Sequence, residues 1–172
     1  MKRTFVFAVA VAFICLLGGH ANGAEKSEDK EHADLAKALK GAKISLEKGL
    51  SASESQGKPI SGKYEVEDGK LQLSVYTAKG DKFSEVIVDH NSGKVGKTEA
   101  ITSGDDLKAA QSQSAAMAKA KLSLRAATEN AIKANKGYRA VSVTPSLKDG
   151  HPVAEVTLVK GAEFKTASEK LD

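Results

Sequence analysis

The feature that most constrains the fold of this chain is an internal repeat. The segment Lys43–Ser53 (KISLEKGLSAS) resembles the segment Lys121–Ala131 (KLSLRAATENA), which lies 78 residues later. Further matches recur at a spacing of 81 residues: Asp68-Gly69 with Asp149-Gly150, Val75 with Val156, Lys79-Gly80 with Lys160-Gly161, and Phe83 with Phe164. Because these matches keep the same order with a single change in spacing, the sequence predicts one folding unit used twice.

Each unit has the pattern of a helix followed by antiparallel strands. Apolar residues recur at helical spacing in both copies: Leu35, Leu39, Ala42, Leu46 and Leu50 in the first, and Leu107, Ala110, Met117, Leu124 and Ala131 in the second. Ser103 or Asp105 can cap the start of the second helix. We therefore predict an α+β fold of two repeated units, each a long helix packed on a three-stranded antiparallel β-meander. The units cover residues 24–97 and 107–172, and residues 98–106 link them.

Turn dipeptides predict the register of the strands. The predicted two-residue turns are Asp68-Gly69, Lys79-Gly80 and Asp149-Gly150. The resulting pairs are Tyr64 with Leu73, Leu73 with Val86, Tyr76 with Phe83, Val143 with Val156, and Val141 with Leu158. In the first unit the large apolar residues then share one face, which a helix can cover while the other face stays open. The last strand of the second unit is expected to be short or frayed, because polar residues replace its apolar ones.

Three apolar residues are predicted to lie on the opposite face of the first meander: Tyr76, Phe83 and Ile87. One interpretation is a cross-strand aromatic pair that stabilises the hairpin or contacts the other unit. The other is an exposed anchor for a partner protein. Tyr76, Phe83 and Ile87 are therefore the candidate partner-binding residues.

The amino terminus has the layout of a secretory signal peptide. A basic start, Met1-Lys2-Arg3, precedes an apolar run and then small residues, which predicts cleavage after Gly23, with Ala24 or Ala21 as the neighbouring alternatives. A retained membrane anchor is the alternative, but the apolar run is shorter than the roughly 20 residues that span a bilayer. Cys15, the only cysteine, is lost with residues 1–23. We expect an exported protein of the periplasm or the extracellular space, without a disulfide and without stable membrane insertion.

Charge and composition argue against nucleic acid as a partner. Loss of Lys2 and Arg3 leaves 24 basic against 22 acidic residues, a formal charge of +2. Acidic and basic residues are interspersed, and no basic block interleaved with aromatic residues is present, so a nucleic-acid-binding surface is not predicted.

No catalytic, cofactor-binding or metal-binding motif is recognisable in the sequence. The three histidines of the exported part, His32, His90 and His151, lack a second ligand at the spacing of a metal site. Serines are abundant, but none lies in a Gly-x-Ser-x-Gly motif, and no glycine-rich phosphate loop follows a strand. The sequence predicts a protein that is not an enzyme and carries neither cofactor nor metal.

Residues Ile44–Val95 contain ISLEKGLSAS followed by GKPISGKYEVEDGKLQLSVYTAKGDKFSEVIVDHNSGKV, with a Tyr-x-Val strand and a closing Val-Asp-x-x-x-Gly-Lys-Val. In these motifs the segment resembles a PepSY domain. Residues 122–172 match less well, because the closing motif is absent. The resemblance implies a module of the cell envelope with a helix packed on an antiparallel sheet. It also implies inhibition of peptidases, which has been proposed for the family, and it transfers no catalytic residue.

The leading hypothesis is an exported, non-enzymatic interaction module that inhibits or restrains a peptidase through a protein–protein contact. An outer strand of the sheet can accept an extended peptide by backbone pairing. A small-ligand or metal-sensing envelope protein, with a pocket between the units, is one alternative. A structural envelope protein is the other.

Overall fold

Seven antiparallel strands in one sheet and four α-helices make up the part of the chain described by this computed structural model, residues 24–172, with side chains from residue 29. The predicted signal peptide, residues 1–23, lies outside the described residues. The helices are α1 (Ala24–Ala38), α2 (Leu46–Ser53), α3 (Gly104–Lys119) and α4 (Leu124–Ala134), and a short 3-10 helix spans Leu39–Gly41. The strands are β1 (Lys58–Glu67), β2 (Lys70–Lys79), β3 (Lys82–Val88), β4 (Val95–Ile101), β5 (Arg139–Lys148), β6 (His151–Lys160) and β7 (Glu163–Lys170).

The strand order is β4-β3-β2-β1-β5-β6-β7. The predicted α+β class is therefore confirmed. Two runs of consecutive strands, β1–β4 and β5–β7, meet at the centre, where β1 pairs with β5 through Gly62 opposite Val143 and Lys63 opposite Ser142. The continuous sheet joins the two halves directly, so they do not depend on a flexible connection. Within residues 24–172 no helix has the length and apolar character needed to cross a membrane.

The predicted register is confirmed for the first hairpin and wrong for the second. Tyr64 pairs with Leu73 across the hairpin, and the turn residues Asp68 and Gly69 both have positive φ. In the second hairpin Lys79 pairs with Lys82, so the turn is Gly80-Asp81 and Leu73 faces Val88 instead of Val86. Gly80 alone has positive φ there, which places it at the first turn position. Because the shift is two residues, every side chain keeps its predicted face.

A β-bulge explains the other register error. Val143 pairs with Val156 as predicted, but Leu158 pairs with Ala140 instead of Val141. The ladder is irregular between Ala140 and Ser142, so Val141 is the extra residue that a bulge inserts. β1 has the same irregularity between Pro59 and Ser61.

The prediction of one long helix in each unit is wrong, because a capped break divides each helical region in two. Ser45 precedes α2 and its hydroxyl accepts a hydrogen bond from the Lys48 backbone nitrogen. Ser123 precedes α4 and accepts from the Ala126 nitrogen. Both serines have extended backbone angles, so the helices begin anew at the next residue. Ser103 lies at the N-terminus of α3 but forms no such side-chain hydrogen bond.

The helices cover both faces of the sheet, whereas the sequence predicted helices on one face only. α2 lies over the face that carries Leu73, since a Cβ at Gly49 would touch the Leu73 side chain. α3 lies over the other face, where Gln113 accepts a hydrogen bond from the Ser61 hydroxyl at 2.7 Å, and Ser61 is the β1 neighbour of Tyr76. Side chains on both faces of mid-β2 are consequently buried.

The predicted linker, residues 98–106, is mostly regular structure. Thr98–Ile101 belong to β4, which pairs with β3, and Gly104–Asp106 form the first turn of α3. The sequence did not predict β4, because this edge strand on a polar face lacks the alternating apolar residues by which a strand is recognised. The last strand, β7, was expected to be short or frayed, but it runs for eight residues and pairs with β6 along its length.

Candidate functional site

The candidate partner-binding residues share one face of the β2–β3 hairpin but differ in exposure. Tyr76 pairs with Glu85, Phe83 with Ala78, and Ile87 with Ser74, so Tyr76 and Phe83 are diagonal neighbours, not a direct pair. Tyr76 is 5% and Phe83 8% exposed, and Ile87 is half-buried. The prediction that Tyr76 and Phe83 form an exposed anchor is wrong. Of the three, Ile87 is the most accessible.

α3 accounts for the burial of Tyr76. After β4 the chain turns back over the sheet, and the first turn of α3 brings Asp106 close enough to influence the pKa of the Tyr76 hydroxyl. The face that this helix covers could not be predicted from the sequence, because its apolar stripe was assigned to one continuous helix. The break at Ser123 separates α3 from α4 and lets them occupy opposite faces.

A cluster of polar side chains surrounds Tyr76 on the sheet face. The Tyr76 hydroxyl donates a hydrogen bond to Glu85 Oε1 at 3.2 Å. The Ser74 hydroxyl donates to Glu65 Oε1 at 3.1 Å, and Gln72 Nε2 donates to Ser74 Oγ at 3.0 Å. Lys63 completes the cluster through an ion pair with Glu65. These contacts tie β1, β2 and β3 together across a partly buried polar surface.

The surroundings raise the pKa of three groups in or beside the cluster: Glu85, Tyr76 and Asp106. Burial raises the pKa of Glu85 above its usual range and the negative charge of Glu65 adds to the rise, while hydrogen bonds with Ser74 and Tyr76 oppose it. Burial is also the main reason that the pKa of Tyr76 is raised, and the charge of Glu85 acts in the same direction. Asp106, at the edge of the cluster, has a raised pKa because of its burial. A cation delivered to this face would relieve the repulsion between Glu65 and Glu85.

The cluster does not have the arrangement of a nucleophile and its base. Ser74 is buried and its hydroxyl donates to a carboxylate that is itself paired with Lys63. Two histidines lie elsewhere: the His32 ring stacks on Phe164 at 4.1 Å, and His151 Nδ1 lies 2.7 Å from Asp172 Oδ2. His90 lines the groove beside the cluster. Among the described residues no group of three or more His, Cys, Asp or Glu side chains is placed to hold a metal ion.

Next to the cluster a groove of about 610 Å³ runs along the outer part of the sheet. It is bounded by the β1–β2 turn and by β3 and β4, and it includes Ile87 and Glu85 from β3 and Lys97 and Glu99 from β4. Glu85 is the cross-strand neighbour of Glu99, and Ile87 is the neighbour of Lys97. The groove is therefore an accessible, mainly acidic sheet surface whose aliphatic lining residues are Leu71, Ile87 and Val88.

The two edge strands of the sheet are β4 and β7. On β4 the residues Gly96, Lys97, Thr98 and Ala100 are exposed, and Lys97 forms an ion pair with Glu99 on the same strand. An edge strand presents backbone N–H and C=O groups that another extended chain can pair with. The groove and the β4 edge adjoin each other, so an added strand at β4 could also place side chains in the groove.

A second cavity, of about 200 Å³, lies where the two halves of the molecule meet. Its apolar lining includes Leu50 of α2, Met117 of α3 and Leu124 of α4. Lys58, Arg125 and the acidic Glu54 also line it; Lys58 Nζ donates to the Met117 carbonyl at 2.9 Å and Arg125 pairs with Glu129. The cavity is large enough for a small apolar group, and its charged lining is two basic side chains and one acidic one.

Sequence reasoning missed the polar cluster and the β4 edge. The alternation of Glu65, Lys63 and Ser74 with apolar residues was visible, but it predicted a solvated face rather than a buried network. The signal that could have identified the cluster is the register of the first hairpin, which sets Lys63 beside Ser74 and Glu65 beside Gln72.

Comparisons with known proteins give no family or relative for this chain. No protein-family model matches it, and neither the curated proteins nor the solved structures contain a match.

Proposed function

We propose that the chain is an exported, non-enzymatic module of two PepSY-like units that restrains a peptidase of the cell envelope by binding an extended segment of it at the β4 edge. The observation that carries the proposal is the open sheet surface beside β4, which contains Ile87 and is not covered by α3. Export and the peptidase class of the partner rest on the signal-peptide pattern and on the PepSY resemblance described above.

Matched local features support the division into two like-built units. Each half contains a longer helix, then a serine-capped shorter helix and then consecutive antiparallel strands, which number four in the first half and three in the second. The backbone nitrogens of Lys43 and Ile44 both donate to the carbonyl of His90, while those of Lys121 and Leu122 both donate to the carbonyl of Leu171. Thus in each unit the residues before the shorter helix bind the chain just beyond the third strand.

The centre of the sheet supports the same division. Gly62 pairs with Val143, the residue 81 positions later, which is the spacing of the repeated hairpins. When a residue pairs with its own equivalent in an antiparallel ladder, the two units are related by a pseudo-twofold axis through that pair. The turn residues Asp68 and Asp149 also match, with φ of 49° and 52°.

Strand addition explains how such a module binds without a deep pocket. Backbone pairing along β4 would supply affinity that does not depend on the partner's sequence, and side chains entering the groove would supply selectivity. A bound aliphatic residue would contact Ile87, and a basic residue would meet Glu85, which lies opposite Glu99.

The binding test compares two aliphatic-to-lysine changes in affinity capture from the native host's envelope. Ile87→Lys alters the groove, and Leu147→Lys is the matched control because Leu147 is 41% exposed on β5, away from β4. We expect the wild type and Leu147→Lys to capture the same peptidase and Ile87→Lys to lose it. Equal capture by all three proteins would refute binding at this groove.

The inhibition test measures hydrolysis of a peptide substrate by the captured peptidase as the purified protein is added. We expect saturable inhibition by the wild type and by Leu147→Lys, with a weaker effect of Ile87→Lys. Capture without any change in hydrolysis would leave a binding module and refute the inhibitory role.

The small-ligand alternative is favoured by one specific observation, the cavity of about 200 Å³ between the halves. Its apolar lining and the nearby Lys58 and Arg125 would suit a short acyl chain with an acidic head group. Thermal-shift titration with short-chain fatty acids tests it, because a ligand that binds the folded state raises the melting temperature in a saturable way. An unchanged melting temperature for every ligand, together with no captured peptidase, would favour a structural envelope role.

A further inference from the structure

The second edge strand, β7, differs from β4 in how its charges are paired. Lys165 and Glu169 lie on the same face of β7, four residues apart, and both are half-buried. Within residues 29–172 neither forms a salt bridge, although Lys165 Nζ lies 4.0 Å from the centre of the Tyr138 ring. Four residues of extended strand span roughly 13 Å, so Lys165 and Glu169 cannot pair with each other.

We propose that β7 is a self-association edge, at which two copies of the chain pair antiparallel about a twofold axis through Ala167. In that register Lys165 of each copy lies opposite Glu169 of the other, which forms two ion pairs in one symmetric contact. Thr166 lies opposite Ser168 of the second copy, and Ala167 lies opposite its own equivalent. The sheet then continues through the contact from one copy to the next.

Charge complementarity selects this register among the neighbouring ones. An axis through Lys165 would set two lysines opposite each other, and an axis through Glu169 would set two glutamates opposite each other. An axis through Thr166 would oppose Glu163 to Glu169 of the second copy. Like charges directly opposite each other destabilise a strand pair, whereas opposite charges stabilise it, so the axis through Ala167 is the favourable one.

The two edges are suited to different occupants. The Lys97–Glu99 ion pair already satisfies the charges on β4 within one chain. The β3–β4 ladder is irregular between Ile87 and Val88, whereas the β6–β7 ladder is regular from Lys160 opposite Glu163 to Val153 opposite Lys170. A regularly paired strand whose half-buried Lys165 and Glu169 form no salt bridge within residues 29–172 fits a second copy of itself. This leaves β4 free for the proposed partner.

Association is measured by analytical ultracentrifugation over a range of concentrations, on the full chain expressed with its own leader. We expect a reversible dimer for the wild type, at least a roughly tenfold higher dissociation constant for Lys165→Glu, and recovery in the Lys165→Glu, Glu169→Lys double variant. Lys97→Glu on the other edge is the control and should dimerise as the wild type does. A monomer at every concentration, or undiminished dimerisation of Lys165→Glu, would overturn the proposal.

A cysteine cross-link tests the axis without changing a charge. In a Cys15→Ser background, Ala167→Cys places two thiols opposite each other, because Cα atoms of directly paired residues lie about 4.5 to 5.5 Å apart, within reach of a disulfide. We expect a disulfide-linked dimer of Ala167→Cys under mild oxidation and none of Ala100→Cys, the matched change on β4. Cross-linking of Ala100→Cys in place of Ala167→Cys would place self-association at the β4 edge and refute the proposal.

Discussion

A glycine in α2 offers a sharp test of how helix and sheet are matched in the first half of the molecule. A Cβ added at Gly49 would lie 2.5 Å from Leu73 Cδ2 and 3.2 Å from Leu73 Cγ. Leu73 is fully buried, so its side chain cannot swing into solvent to make room. We predict that Gly49→Ala destabilises the protein, although alanine is the better helix former.

The magnitude follows from two opposing effects. Alanine in place of glycine inside a helix contributes about 0.8 to 1.0 kcal/mol of stability. Insertion of an extra methyl group into a packed core costs about 1 to 3 kcal/mol. The expected net loss in the free energy of unfolding is about 1 kcal/mol, which corresponds to a melting temperature roughly 2 to 4 °C lower for a domain of this size.

The second half of the chain has a pair of residues at the matching positions that avoids this clash. At the matching positions of the second half are Ala127 and Ala154, both fully buried, where the first half has Gly49 and Leu73. A larger helix residue therefore accompanies a smaller strand residue. In a Leu73→Ala background we predict that Gly49→Ala reverses sign and stabilises the protein by about 1 kcal/mol, because the clash is gone and the helix propensity remains.

Urea denaturation followed by far-UV circular dichroism measures all four proteins of this double-mutant cycle. The expected coupling between the two positions is about 2 kcal/mol. Gly41→Ala is the control, since a Cβ at Gly41 has no atom within 4 Å, and it should not destabilise the protein. A stabilising effect of Gly49→Ala in the wild-type background, or additivity of the two changes, would refute the reasoning.

Two further predictions concern the polar cluster and the helix caps. Burial raises the pKa of Glu85 in the folded protein, so the protonated side chain stabilises the fold. This stabilisation is fully present below the pKa that Glu85 has in the unfolded chain, and it is lost as the pH rises through its pKa in the folded protein. Glu85→Gln should therefore be more stable than the wild type at pH 7 and lose that advantage below about pH 4. Thermal melts at both pH values test this. A gain in stability that does not depend on pH would contradict it. Ser45→Ala and Ser123→Ala should each lower the free energy of unfolding by about 0.5 to 2 kcal/mol, because each removes the hydrogen bond to the Lys48 or Ala126 nitrogen. Chemical denaturation compares them with Ser55→Ala, an exposed serine outside the caps.

Local turn chemistry explains which registers could be predicted. The Asp68-Gly69 register is correct because that turn needs positive φ at both central residues, which Asp and Gly tolerate. The Lys79-Gly80 register is off by two, because a single glycine fits either the first or the second central position. The bulge at Val141 could not be read from the sequence, because a bulged residue breaks the alternation that register arguments use.

For the candidate partner-binding residues, the predicted face of the sheet is correct but the predicted solvent exposure is wrong. Tyr76, Phe83 and Ile87 do lie on the face opposite Leu73, because strand alternation fixes the side of each residue. Whether that face is open depends on α3, which reaches it only because the chain breaks at Ser123 and separates α3 from α4. The helical spacing continues across the break, so the periodicity gave no sign of it.

The sequence alone determined the local and periodic features: the α+β class, the first hairpin register and the side of the sheet on which each strand residue lies. These follow from backbone sterics and residue spacing, which act over a few neighbours. Only the tertiary structure decided that β1 joins β5, that helices cover both faces and that β4 and β7 are the edges. These choices depend on burial and pairing between residues far apart in the chain, and short-range patterns carry little information about them.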